Sequence, residues 1–245
     1  MFSGLTASTD RRGFLRRGSA AGGLALLAPH QAGAAGSSPS PFDALADASA
    51  ERGPAAHTLA MAERRWDLSW VQPVRRAEDK AVIDTAGISD GFALQIAARY
   101  LDNCDAVYGR GKHQARVVLN IRTRAIPLAM SDALWARFNL GADYSVKDPL
   151  TGESATRNPF LARAANAPAY EVSIQDLQAR GAIVLVCDFA MGHLATRLAT
   201  KLGITADAVH TELLAGLISG ATPMPSGMFG LAKAQNAGCA FIGTP

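Results

Sequence analysis

The chain has 245 residues, 49% of them hydrophobic and 18% charged, with a formal net charge of +3. The balance is that of an ordinary globular protein. Because Arg11, Arg12, Arg16 and Arg17 cluster in an N-terminal segment of a different kind, the rest gives no electrostatic footprint for nucleic acid. The three cysteines, an odd number, leave at least one thiol unpaired within the chain.

Arg11-Arg12-Gly13-Phe14-Leu15-Arg16-Arg17 is followed by a weakly apolar run from Gly18 to Pro29 and by the small-x-small sequence Ala32-Gly33-Ala34. Basic, apolar and small regions in that order read as an export signal over residues 1–34. The paired arginines before Gly-Phe-Leu resemble the twin-arginine type, with Asp10 where that signal usually carries Ser or Thr. The expected location is therefore the periplasm. No other stretch reaches the roughly 18 apolar residues of a membrane span, so membrane contact is expected only through an uncleaved signal. Residues 35–78 read as a leader and N-terminal extension. Ala35 to Pro54 is rich in Ala, Ser, Pro and Gly. His57 to Trp70 mixes helix formers with Trp66 and Trp70, which would share a helical face and dock on the main domain.

Regular structure is expected over residues 79–245. Ala81-Val-Ile-Asp-Thr85 reads as a strand, Gly87 to Gly91 as a tight loop, and Phe92 to Asn103 as a helix with Phe92, Ile96, Ala97 and Tyr100 on one face. This strand, glycine loop and helix carry neither G-x-G-x-x-G nor a P-loop Lys-Ser/Thr, which argues against a dinucleotide or phosphate loop. Ala115 to Arg122 is the second strand, and it ends in Asn120, Arg122 and Arg124. A helix-like segment around Pro127 to Met130 follows, and then a helix from Ser131 to Phe138 with Leu134, Trp135 and Phe138 as its apolar stripe. Gly141 to Pro168 is loop-rich, its Asp-Pro, Thr-Gly and Asn-Pro pairs predicting successive turns. Ser173 opens a helix with a capping box in which Asp176 replaces the usual Glu.

Ile183-Val-Leu-Val186 is an unbroken apolar run, the pattern of a parallel strand covered on both faces, and it ends on Cys187. Helices are expected over Met191 to Leu202, after Thr205, and from Met228 to Asn236. Ala221 to Ser226 reads as a proline-marked edge and Cys239 to Ile242 as a last strand. Strands alternating with helices imply right-handed crossovers. The expected fold is a three-layer open α/β sheet, mostly parallel, of about five strands with helices on both faces.

In such a sheet Cys187 ends a strand, at the edge where ligand crevices form. Cys104 follows a helix and Cys239 begins a strand, so those two belong to the opposite edge, either as a disulfide or as two buried thiols. A helix start beside Cys187 would favour a thiolate, and the neighbouring Asp188 would oppose it. His193 pairs with the thiol only if the turn folds back, and Cys187, His193 and His210 lack the close spacing of a zinc site. No metal and no cofactor is implied. Asn120, Arg157, Asn158, Asp188 and His193 are the candidate binding residues, with loop-fixing hydrogen bonds as the alternative for Arg157 and Asn158.

Val184-Leu-Val-Cys-Asp-Phe-Ala190 resembles the strand-cysteine segment of the DsrE/DsrF-like sulfur-relay family. Asp148-Pro-Leu-Thr, Ala155-Thr-Arg-Asn-Pro-Phe160 and the run from Pro225 to Cys239 are similar to an exported, uncharacterised branch of it. The resemblance covers about two thirds of the chain, from Lys80 to Pro245. It implies that Cys187 carries a persulfide, accepting sulfane sulfur from a donor and passing it to an acceptor protein, in subunits that associate as homo-oligomers. Three departures stand out: classical members act in the cytoplasm with sister subunits whereas this chain reads as exported, it carries an N-terminal extension, and the long loop at Gly141–Pro168 is additional. The competing reading is a non-catalytic ligand-binding or oligomeric scaffold module in which Cys187 is buried and inert.

Overall fold

Each of the five strands is a short run of β-branched and other apolar residues bounded by turn formers, and all five pair in parallel. The computed structural model describes residues 64–109, 114–162 and 172–244, within the compact unit Pro39–Pro245. The expected signal (1–34), most of the leader and the predicted helix start at His57 lie outside the described residues. The described elements are α1 (Val71–Arg76), β1 (Asp79–Thr85), α2 (Phe92–Tyr108), β2 (Ala115–Ile121), α3 (Asp132–Phe138), α4 (Leu140–Asp143) and α5 (Ile174–Ala179). They continue with β3 (Ile183–Cys187), α6 (Asp188–Leu202), α7 (Ala206–Ala215), β4 (Ala221–Met224), α8 (Gly227–Asn236) and β5 (Ala240–Gly243).

The strand order is β4-β3-β2-β1-β5. From β1 to β4 every step moves the same way across the sheet, so right-handed crossovers put those connections on one face. The step from β4 to β5 runs back past three strands and puts α8 on the other face. Side-chain alternation along the strands matches this division. Ala81, Ile83, Val117, Leu119, Val184 and Val186 pack with Leu94, Trp135, Leu177, Met191 and Leu213. Val82, Val118, Leu185 and Met224 pack with Trp70, which precedes α1, and with Val74 of α1 and Leu231 and Ala234 of α8. The chain is thus a three-layer α/β protein with an all-parallel five-stranded sheet, as its sequence pattern predicts.

Several local expectations need correction. Trp66 and Trp70 are not on a helix, since residues 65–68 are irregular and α1 starts only at Val71. Trp70 nonetheless docks in the second core layer. In α2 the buried face is Ala93, Leu94, Ala97, Ala98, Leu101 and Cys104, with the predicted Ile96 and Tyr100 packed partly buried against the same core, and of the predicted stripe it is Phe92 that is exposed. The helix enters from a left-handed Gly91. The segment around Pro127 is a 3-10 helix, Thr123–Ala129, and α6 begins immediately after Cys187 rather than at Met191. The capping box of α5 is formed, with Ser173 and Asp176 bonded reciprocally.

Candidate functional site at the carboxyl edge

The order of the strands singles out one place. β3 sends its connection, α6, to one face, and its neighbour β4 sends α8 to the other, so the two helices diverge from adjacent strand ends. In open α/β sheets that divergence creates the ligand crevice. The residues facing each other across it are Cys187 and Met224, the last register pair of β3 and β4.

Cys187 is both the last residue of β3 and the N-cap of α6. Its Sγ accepts a hydrogen bond from the Ala190 backbone N–H at 3.3 Å. The residue is 5% exposed. Burial pushes the thiol above its ordinary pKa, and Asp188 adds to the rise. The Ala190 and Gly227 backbone amides and the Arg122 charge pull in the opposite direction. The start of α6 thus contributes an amide to the sulfur, and the start of α8 follows directly on β4, whose last residue, Met224, is the register partner of Cys187. A backbone bond from Phe189 N–H to Pro225 C=O, 3.3 Å, ties the two strand exits together.

On the α8 side the floor of the edge is polar. Asp84 of β1 and Asn120 of β2 are register partners, buried at 7% and 1% exposure. Arg122, one residue past β2, donates from Nε and Nη2 to the two Asp84 carboxylate oxygens at 2.6 and 2.7 Å, a two-bond fork. That bonding raises the Arg122 pKa further. The first turn of α8 sits directly on these side chains. A Cβ at Gly227 would come within 2.8 Å of Arg122 Cβ and Cδ, and one at Gly230 would collide with Asn120 Oδ1. Asn120 Nδ2 has no hydrogen-bond partner, and a buried donor left unpaired costs about 1–3 kcal/mol.

On the α6 side Asp188 is 3% exposed, and its Oδ1 receives both Arg64 Nη1, at 2.9 Å, and His210 Nε2, at 3.0 Å. A buried carboxylate needs such partners. They come from the segment before α1 and from α7, so Asp188 fastens two elements to the start of α6.

The structure brings Cys187, Asp188 and Asn120 to this edge, and it sends the other candidates elsewhere. His193 lies a turn further along α6 in an edge-on contact with Phe189, ring centroids 4.6 Å apart. Arg157 donates to Asp148 at 2.9 Å, and the Leu150 backbone N–H, followed by Arg157, holds the Asp148 carboxyl below the ordinary range. Asn158, 2% exposed, donates from Nδ2 to the carbonyls of Leu128 and Met130 at 2.9 and 2.8 Å, and accepts from Phe160 N–H. Arg157 and Asn158 thus fix their own loop. All three cysteines are free and buried, so no Cys104–Cys239 disulfide is formed. Burial pushes the Cys239 thiol up to about 11 and raises that of Cys104 as well.

Four residues at this edge are absent from the sequence-based candidates: Asp84, Arg122, Gly227 and Arg64. Asp84 and Arg122 look like ordinary strand-end residues, and only the parallel register brings them together. Among the described residues no group of three or more His, Cys, Asp or Glu side chains could hold a metal ion, and no helix is long and apolar enough to cross a membrane. The chain matches no family model, no curated protein and no solved structure.

Proposed function

We propose that this chain is a sulfane-sulfur carrier of the DsrE-like kind, with Cys187 as the residue that takes up the sulfur. The observation that carries the reading is a strand-end sulfur that accepts the Ala190 amide at the start of α6 and lies, by strand register, beside Arg122. Amide donors and a nearby cation favour an anionic sulfur, and a persulfide is a stronger acid than the thiol it replaces. In the transfer the Cys187 thiolate attacks the outer sulfur of a donor R–S–SH. The donor S–S bond breaks, a new S–S bond forms on Cys187, and the departing RS⁻ takes up the thiol proton. The same exchange in reverse hands the sulfur to an acceptor thiol, with no net oxidation of the protein.

Incubation of the reduced protein with an inorganic polysulfide should add about 32 Da, located at Cys187, as one persulfide sulfur. A Cys187→Ser variant should take up none there. An unmodified Cys187 under these conditions removes the proposal. Export by the twin-arginine route and self-association belong to the same reading. N-terminal sequencing of secreted material should begin at Ala35, and light scattering should report more than one chain per particle.

A second reading is favoured by one observation, the 5% exposure of Cys187. In it the thiol is a small buried hydrophobe, and the edge binds a ligand or a second chain without chemistry. That reading expects a Cys187→Ser variant to keep its assembly state and Cys187 to resist every sulfur donor.

A further inference from the structure

The mate of Cys187 across the sheet is Arg122. The last register pair between β2 and β3 is Ile121 with Val186, so the next residues of the two strands, Arg122 and Cys187, leave the sheet side by side. Arg122 is held unusually firmly for a residue past the end of a strand. Its backbone N–H donates to Thr85 C=O at 2.9 Å, pinning the exit of β2 to that of β1. Its side chain is forked onto buried Asp84 through Nε and Nη2, which leaves Nη1 outside the fork. Its aliphatic stem is the surface on which Gly227 rests, since any Cβ there would come within 2.8 Å of two stem carbons. Gly227 in turn opens α8 three residues after Met224, the register partner of Cys187, and Phe189 N–H holds the connecting Pro225 carbonyl at 3.3 Å.

We propose that Arg122, clamped by Asp84, is the positioning residue of this edge. It seats the first turn of α8 against the Cys187 sulfur and supplies the positive charge for its anionic form. The inference rests on Cys187 being the working group of the site. The charged groups around that sulfur are few. β2 and β1 bring Arg122 and, through it, Asp84. α6 brings Asp188, whose charge is met by Arg64 and by His210 of α7. The first turn of α8 has no acidic residue, and β4 has no charged side chain. Among the described residues, Arg122, paired to Asp84, is thus the cation that the strand register sets beside this sulfur and that Asp188 does not engage. Its fork fixes where the charge sits, which a lysine in the same place would not reproduce.

The test is the pH dependence of iodoacetamide alkylation, resolved by cysteine with mass spectrometry, on the full chain without any sulfur donor. Arg122→Gln should raise the Cys187 midpoint by about one pH unit, the usual effect of losing a neighbouring opposite charge. The Cys104 and Cys239 midpoints, at the far edge, should stay where they are. Arg122→Lys keeps the charge without the fork and should give a smaller upward shift. An unchanged Cys187 midpoint in a folded Arg122→Gln variant overturns the proposal, as does a common shift of all three thiols, which would report general loosening. Should Arg122→Gln fail to fold, two readouts remain. Cys187 in the wild-type chain should titrate below Cys239 despite similar burial, and Arg122→Lys should still move it; either one failing overturns the role. Because no sulfur donor is used, a shifted midpoint with no mass adduct retains Arg122 and discards sulfur carriage. An adduct with unshifted midpoints does the reverse.

Discussion

Gly230 stands one turn below Gly227 on α8, so the two share the face turned toward β2. At Gly230 the contact is with the Asn120 carboxamide, which is buried and cannot swing into water. Gly230→Ala should therefore cost about 1–3 kcal/mol as an overpacking change, although alanine is the better helix former. Urea unfolding measures it, and a neutral or stabilising result would show that Asn120 has room to move. Asp188 allows a test of a different kind. Arg64 and His210 share its Oδ1, so either single alanine variant leaves the carboxylate one partner, and the double variant leaves a buried charge without either. The double loss should exceed the sum of the singles by at least about 0.5 kcal/mol, as expected for groups in one network. Additive losses would mean that solvent takes the place of both partners. Neither contact was visible in the sequence, because a glycine in a helix and an aspartate at a helix start each have commoner explanations.

The loop between α4 and α5 makes the same point for a whole element. Its turn residues predict the right kind of structure, and Lys147 and Ser154 do flank a tight reversal, closed by the antiparallel bridge between them. What the sequence cannot reveal is the direction in which its polar side chains face. Asn158 looks available for a ligand, yet its carboxamide satisfies the carbonyls that the Pro127 3-10 segment leaves open. Asp148 looks equally free, yet it accepts from Leu150 N–H and from Arg157. Its carboxyl is held below the ordinary value in the folded chain. The unfolded chain thus binds the proton more readily, and Asp148 contributes its full stabilisation above the ordinary carboxylate range. That contribution fades as the pH falls through the lowered folded value. Asp148→Asn should flatten this acid-side fall in stability, read from urea midpoints at neutral and acid pH. A variant with the same acid sensitivity as wild type would place the titrating group elsewhere.

At the scale of the molecule, the sheet was legible because parallel strands buried on both faces advertise themselves as apolar runs. The edge holding Cys187 followed from knowing which residue ends a strand. The order β4-β3-β2-β1-β5 was not legible, and with it went the pairing of Asp84 with Arg122 and the placing of α8 on the face opposite α2, α5 and α6. With so few helices there, the segment leading into β1 has to complete that layer, and Trp70 is its anchor, 5% exposed among Val82, Val118 and Leu231. Trp70 carries a liability too, because its Nε1–H is buried without a partner. The two effects separate by substitution. Trp70→Ala removes the ring from the core and should cost about 3–5 kcal/mol. Trp70→Phe keeps most of the packing and deletes the orphaned donor, whose burial penalty of about 1–3 kcal/mol offsets the lost ring area, so its stability should stay within about 1 kcal/mol of wild type. Equal losses in the two variants, measured by urea unfolding, would mean that the indole N–H has a partner in solution and that this layer is held by a polar contact as well as by packing.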